Sequence, residues 1–588
     1  MTEAEMKAFN GEKRLPLKTT LKRIAHYLKP QLARFITAIL LIVLNVAFDV
    51  ALPVFISSAC DNLKSNSVNL NFIIGLAVGY VCIGGVNQLV LYAESMLLQK
   101  AGQSVVANIR LEVYDHIQNL SQGQLDKMPV GSLVTRVASY TASLSDLFTE
   151  VIVKVIKNVL TIVGVFGMML YISWQLSLVM LGFIAAVALI SFAFGKIIGA
   201  LFRKERAYIS ELNAYLNENL SGMKLIHVFN RQKFKELEFV MKNENLRKAR
   251  YKVVIAFGVY RPLITLIYVL AVAVTFYLGV GFGLNAGMVV AFYLYLSKFF
   301  NPVQNLADQL NNLQKAFTAS ERLFNLLDIQ PEVRDRADAV EIEKFNGDIE
   351  FDHVWFAYEG ENWILKDVSF KVKAGETCAF VGATGAGKST VLSLVVRNYD
   401  VQKGRVLIDG IDVRDIKIKS LRRAAGQMLQ DVFLFSGTIK DNLTLGDKEF
   451  TDEEIENACR YVNADSFISA LPDGLDEKLS ERGENLSQGQ RQLLSFARTV
   501  LHNPQILILD EATANIDTET EALIKEGLDK MRGIGTMLVC AHRLSTIKNA
   551  DNIIVMQHGE IVESGTHDEL VAGGGYYSRL YALQSERQ

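Results

Sequence analysis

At 588 residues the chain is too long for a single hydrophobic core, so two or more domains are expected. Sixty-one basic against sixty-three acidic side chains leave a net charge of −2, which argues against a nucleic-acid footprint, and hydrophobic residues make up 50%, high for a soluble protein. The five cysteines (Cys60, Cys82, Cys378, Cys459, Cys540) lack metal or disulfide spacing and are expected to be small buried hydrophobes.

Residues 1–33 are polar and basic and show no cleavable signal peptide. Within them Leu17, Leu21, Ile24 and Leu28 recur at helical spacing among lysines. That pattern fits an interfacial elbow helix, favoured here over a short soluble one. The segment is too short for a leader-cleaving peptidase domain, so peptide processing on this chain is not expected.

Six apolar runs of spanning length follow: Phe35–Ser58, Phe72–Leu98, Val151–Ile172, Leu176–Leu201, Val254–Leu278 and Val280–Phe300. A short glycine-rich turn, Gly279–Gly287, is expected to split the last two. Twelve lysines and arginines lie in Phe202–Lys252 and eight in residues 1–34, whereas the three opposite loops hold only Lys64. The bias places both termini and the long loops in the cytosol of a multi-pass protein of the cytoplasmic membrane. Those inner loops, Gln99–Phe148 and Phe202–Lys252, are not loop-like. Ile109, Val113, Ile117 and Leu120, then Leu212, Leu216 and Leu220, keep a helical period. Spanning helices that continue into the cytosol and turn back through a short crosspiece explain the pattern, and such a crosspiece is placed to dock on a cytosolic domain.

Among the few ionisable groups in or beside the spans are Asp49, Glu94, Glu150, Lys154 and Arg261. Helix packing accounts for most of them; the functional alternative is that Asp49 favours cationic compounds. Phe48, Phe55, Tyr260, Tyr268, Phe292 and Tyr293 are available to stack on apolar ones. Residues 303–347 read as a linker, mostly polar helix, that closes at Asn346-Gly347. Beyond it Ile349–Phe356 and Val368–Val372 alternate like strands, and residues 348–588 suffice for an α/β core. The domains are therefore an N-terminal segment 1–33, a transmembrane domain 34–302, the linker, and a nucleotide-binding domain 348–588.

The last domain carries the chemistry. Cys378–Val381 feeds Gly382-Ala383-Thr384-Gly385-Ala386-Gly387-Lys388-Ser389, and a helix follows from Thr390. Glycines let backbone N–H groups curl round phosphates, Lys388 reaches their oxygens, and Ser389 offers a hydroxyl to Mg²⁺. Downstream comes Leu486-Ser487-Gln488-Gly489-Gln490, which opens a helix over Arg491–Leu501. Then the apolar strand Ile506–Leu509 delivers Asp510 and Glu511, one carboxylate for the metal and the next toward solvent, where a base must stand. ATP and Mg²⁺ are the expected ligands.

With these motifs in order, the chain resembles ABC transporters, in the exporter form that fuses six spans to one nucleotide-binding domain, over about residues 20–585. It looks most similar to bacterial multidrug-type half-transporters. The implied fold is an α-helical transmembrane domain with long cytosolic extensions plus an α/β P-loop domain. The resemblance implies that Tyr358 stacks on adenine, Gln430 contacts Mg²⁺ and the attacking water (Gln427 is the competing candidate), and Asp510 ligates the metal. It further implies Glu511 as general base, Asp517 as a cross-dimer aspartate and His542 as the γ-phosphate contact. Ser480-Glu481-Arg482-Gly483 matches the segment that meets the crosspieces, and Glu218–Gly222 with Val228-Phe229 matches the second crosspiece region. In this family the Ser487, Gly489 and Gln490 loop caps nucleotide held by a partner subunit, so a second half-transporter is implied.

Two departures stand out. Gln488 occupies a position where the family usually has glycine, and Ser139-Tyr140 replaces a common Asn-Asp. A full catalytic set beside an altered signature favours a heterodimer over a homodimer. The expected activity is ATP-driven export of small hydrophobic or amphipathic compounds by alternating access. A lipid or peptide translocator is the runner-up, and an ATP-gated channel or sensor subunit is a third class.

Overall fold

The computed structural model describes residues 16–63, 68–428, 432–447, 449–510, 518–540 and 547–585. Lys64, Gln430, Glu511, Asp517 and His542 lie outside the described residues. The chain forms two compact units. One comprises residues up to Gln118 together with Val130–Ile329, the other Asn119–Pro129 together with Gln330–Gln588.

The first unit is helical. After Leu17–Leu28 come Leu32–Leu63, Leu70–Gln118, Val130–Ile172, Trp174–Ser221, Gln232–Gly281 and Ala286–Leu327. At 49 residues, Leu70–Gln118 is about 70 Å long, more than twice a bilayer's hydrocarbon core. Helices of that reach explain why the inner loops carry helical periodicity. Ser173 breaks the fourth helix from the third: it is extended (φ −158°) and its hydroxyl accepts from the Leu176 N–H.

Among the described residues, five helices are long and apolar enough to cross a membrane. The sixth apolar run is divided. Its first residues end Gln232–Gly281 and the rest open Ala286–Leu327, a helix diluted by Tyr293, Tyr295, Lys298 and Asn301 and not among the five. Its Phe292, Tyr295, Leu296 and Phe299 are nonetheless buried with Val165, Met169, Met180 and Ile264. The turn between the last two helices is shorter than Gly279–Gly287, because glycine there serves packing. Gly287 is helical, donates its N–H to Asp61 Oδ1 (2.9 Å), and would bring a Cβ within 2.6 Å of that carboxylate. The last helix also runs unbroken through residue 302, and the compact units change at Ile329/Gln330.

Asp49 is not a free trap for cations. Lys298 Nζ lies 3.5 Å from its carboxylate and donates to its carbonyl (2.7 Å), while Asn87 Nδ2 donates to Oδ1 at 3.3 Å. The resident ammonium neutralises the charge that would recruit a cationic compound. Glu150 and Lys154 pair at 2.6 Å one helical turn apart. The cysteines divide: Cys378, Cys459 and Cys540 are buried, Cys60 is partly buried, and Cys82 is exposed, against expectation. Cys82 stands on an apolar helix, and in a membrane protein the outside is itself an apolar solvent. Burial pushes the Cys378 and Cys459 thiols up to about 12, so neither is a reactive thiolate at neutral pH.

Among the described residues the second unit holds a six-stranded sheet, a four-stranded sheet and a two-stranded ribbon, Gly437–Thr438 with Lys478–Leu479. The six-stranded one runs Glu560–Gly565, Asn552–Gln557, Thr377–Val381, Thr536–Cys540, Ile506–Asp510 and Ala425–Met428, parallel except for its first strand. Thr377–Val381 and Thr536–Cys540 are buried along their whole length, as strands covered on both faces must be. The four-stranded sheet (Leu365–Val372, Ile349–Phe356, Lys403–Ile408, Ile411–Asp412) is antiparallel throughout.

Candidate nucleotide-binding site

Register decides where the site lies. Thr536–Cys540 pairs in parallel with both Thr377–Val381 and Ile506–Asp510, and Cys540 stands level with Phe380 on one side and Asp510 on the other. Three strands therefore end side by side at the carboxyl edge, where open α/β sheets hold ligands. The first leads into residues 382–389, the second ends on Asp510, and the third precedes Ala541-His542 in sequence. Ala425–Met428 adds a fourth strand, its Met428 paired with Leu509, two residues before Gln430. Gln427 lies inside that strand opposite Ile508.

The loop's shape follows from its glycines. Gly385 and Gly387 take φ of +84° and +101°, which side-chain-bearing residues adopt only with strain, and a Cβ on Gly387 would also stand 2.6 Å from Leu365 Cδ2. Gly387 caps the helix Lys388–Val395. The Lys388 side chain is buried, its ammonium donating to the Gly382 and Ala383 carbonyls at 2.7 and 3.2 Å. Ser389 Oγ donates to Asp510 Oδ1 at 3.1 Å. Two of the three residues expected to hold a metal, Ser389 and Asp510, thus meet across 121 positions of sequence. No cluster of three metal-ligating side chains occurs among the described residues.

Tyr358 stands at the rim, 41% exposed, its hydroxyl 3.1 Å from Thr390 Oγ1. Its ring meets Phe356 and Tyr399 edge-on, with centroids 4.9 and 5.1 Å away. Further on, Ser487 caps the helix Gln488–Leu501 reciprocally with Gln490. The Ser487 N–H donates to Gln490 Oε1 (2.9 Å) and the Gln490 N–H to Ser487 Oγ (3.2 Å). Both polar side chains are thereby engaged in shaping the helix start, with Gly489 buried beneath and Gln488 exposed.

Sequence reasoning missed how the first crosspiece is seated. Gln122–Leu125 begins with a capping box between Ser121 and Gln124. Gln124 is fully buried, donates to the Gln330 carbonyl (2.9 Å) and accepts from the Glu332 N–H (3.3 Å). Gly123 lies flat against Tyr399: a Cβ there would fall 2.8 Å from Tyr399 Cδ1 and closer still to Cε1. The Tyr399 hydroxyl donates to Asp126 Oδ2 at 2.9 Å. Burial, and then that carboxylate, push its phenol well above the usual range, so it stays a donor at any physiological pH. Lys127 Nζ lies 3.5 Å from the Tyr358 carbonyl oxygen. The crosspiece therefore touches both the rim aromatic and the ring behind it. The Ser121-x-x-Gln124 spacing was the available signal for the short helix; nothing local marked Tyr399.

Comparison with known proteins agrees with this arrangement. Residues 35–303 match the ABC transporter transmembrane region and residues 365–514 the ABC transporter family. The chain is 38% identical over 501 residues to the "Probable multidrug resistance ABC transporter ATP-binding/permease protein YheH" of Bacillus subtilis (strain 168), covering 84% of this chain and 74% of that protein. It is 32% identical over 585 residues to an "ATP-dependent lipid A-core flippase" of Syntrophus aciditrophicus (strain SB), covering 98% and 96%. The solved structure of a bacterial Atm1-family ABC exporter with ATP bound superposes with a TM-score of 0.78 at 27% identity, over 94% of this chain and 98% of that one.

Proposed function

The chain belongs to the ABC transporters, as a half-transporter ATPase of the exporter type, and on that premise we propose that it exports hydrophobic or amphipathic compounds across the cytoplasmic membrane by alternating access. The observation that carries this reading is the seat of Gly123 on Tyr399, whose ring stands against Tyr358. A segment joining two long apolar helices is thereby held on the rim of the phosphate loop, where nucleotide occupancy can act on it.

Lys388 and His542 share the γ-phosphate charge, Gln430 and Glu511 orient the attacking water, and Glu511 takes its proton. Ser389, Asp510 and Gln430 hold Mg²⁺, which neutralises charge on the transferring phosphoryl group when bound. Tyr358 receives the adenine. Ser487, Gly489 and Gln490 cap nucleotide on the partner subunit, where the positive helix end at Ser487 suits an anion, and Asp517 serves as the cross-dimer aspartate. The clustered lysines and arginines support a cytosolic side for both termini and the nucleotide-binding domain. ATP-driven dye accumulation in inside-out vesicles tests export; vesicles that hydrolyse ATP without moving any dye, lipid or peptide would contradict it.

The second crosspiece, Met223–Val228, supports the need for a partner. Leu225, Val228 and Phe229 are 63%, 71% and 66% exposed, an apolar tip suited to docking on the partner's nucleotide-binding domain. Phe229→Asp is expected to lower substrate-stimulated ATP turnover about tenfold while nucleotide binding persists, as loss of an aromatic interface anchor does. Measuring both on the assembled transporter checks this.

Gln488 argues for an unlike partner, since a side chain there crowds the nucleotide that the signature covers. Purified alone, the chain is expected to show little ATPase activity, and adding the second half-transporter restores it. Brisk, cooperative turnover by the isolated chain points instead to a homodimer. Lipid translocation is the second reading, favoured by the likeness to a protein named as a lipid A-core flippase.

A further inference from the structure

Within the helical unit a cavity of about 1110 Å³ opens among four helices, Val130–Ile172, Trp174–Ser221, Gln232–Gly281 and Ala286–Leu327. That is ample for a drug-sized molecule. One part of its wall is aromatic: Phe202 packs on Phe257 (centroids 6.1 Å apart) and Phe194 on Tyr260 (5.5 Å), whose hydroxyl lies 3.0 Å from that of Ser191. Another part is cationic. Arg206, Arg261, Lys315 and Arg322 all line the space, and among the described residues the only carboxylate on the wall is Glu205.

That carboxylate is already engaged: Arg250 Nε, which does not line the cavity, lies 3.0 Å from Glu205 Oε1. Arg322 donates to the Tyr140 hydroxyl (2.6 Å), a neutral partner that leaves its charge in place. A bias of lysine and arginine toward the cytosolic side explains why basic residues occur on these helices. It does not explain why four of them, from three helices and spread over 116 positions, converge on one aromatic-walled space. Like charges that share a cavity repel, and an anion relieves all of them together.

We propose that this cavity receives anionic amphiphiles, with a phosphate, sulfonate or carboxylate among Arg206, Arg261, Lys315 and Arg322 and an apolar body against the aromatic wall. The inference deepens the export reading by naming the charge class of its substrate. Two sources share that chemistry, an anionic bilayer lipid and a soluble amphipathic anion.

The test uses the assembled transporter in nanodiscs of phosphatidylcholine and two probes with the same rings: 8-anilinonaphthalene-1-sulfonate and its uncharged parent, N-phenyl-1-naphthylamine. Binding is followed by fluorescence, with no dependence on hydrolysis. The wild type is expected to bind the sulfonate at least ~10-fold more tightly than the parent, and R261Q/K315Q to bring the two within about twofold. The uncharged probe reports on the fold of the variant. Replacing the lipid with phosphatidylglycerol distinguishes the sources. Displacement of the sulfonate by the anionic bilayer assigns the site to lipid, whereas unchanged binding assigns it to a soluble anion. Equal affinity of the wild type for both probes, or an undiminished preference in R261Q/K315Q, overturns the proposal. Charge-selective binding in a protein that moves nothing with ATP would leave the site standing and bring down the export reading alone.

Discussion

Replacing Glu511 with Gln is expected to slow ATP turnover by about 10³-fold while leaving ATP binding intact, because a positioned general base contributes roughly 10²–10⁴-fold. The residue follows Asp510 at the end of a strand whose four apolar residues are fully buried, so the backbone leading to it is fixed by packing on both faces. Asp510 meets the Ser389 hydroxyl, and on the proposed reading this pair serves the metal. On that reading Glu511, the next residue in sequence, serves the water. Glutamine keeps the size and the hydrogen-bonding but cannot take a proton, so nucleotide should be trapped rather than lost. A single-turnover measurement with radiolabelled ATP, beside an equilibrium binding titration, separates the two effects. An equal fall in both would move Glu511 out of the base role.

Gly123→Val is expected to lower transport by about 10²-fold at nearly unchanged ATP binding. A side chain at position 123 must displace the Tyr399 ring, and that ring cannot simply swing aside. Its hydroxyl is tied to Asp126, and its faces and edges are packed by Phe356 and Tyr358. Overpacking of a fitted contact costs about 1–3 kcal/mol, which at its upper end corresponds to two orders of magnitude in seating the crosspiece. The nucleotide loop itself is untouched by the substitution. The expected phenotype is therefore uncoupling, with hydrolysis that moves little substrate, read as the ratio of transported dye to phosphate released. A variant that loses ATP binding and transport in parallel would show that the crosspiece only stabilises the domain.

Much of this was legible from sequence because its causes are local. The phosphate loop demands glycine at left-handed positions, so Gly385 and Gly387 announce it, and the apolar run before Asp510 announces its strand. The long inner helices were legible too, since Ile109, Val113 and Leu216 keep their period far beyond the span. What escaped depends on contacts between distant residues. Tyr399 meets Asp126 across 273 positions, and Lys298 neutralises Asp49 across 249. Neither partner marks the other in the sequence. Gly287 was misread for a related reason: a glycine that lets Asp61 approach a helix looks, from sequence, like one that turns the chain. Tyr293 and Lys298 blur the sixth span in the same way, because its inward face is polar enough to bind neighbours and apolar enough to pack.

On the proposed reading, hydrolysis in this chain drives movement of a compound through its membrane helices. That coupling is tested most directly by recording phosphate release and dye accumulation together in inside-out vesicles, with wild-type transporter and with E511Q. Both signals are expected to appear with Mg²⁺ and ATP in the wild type and to vanish together in the variant. Dye flux or conductance that persists in E511Q, with hydrolysis gone, would contradict the coupling and describe a gated channel instead.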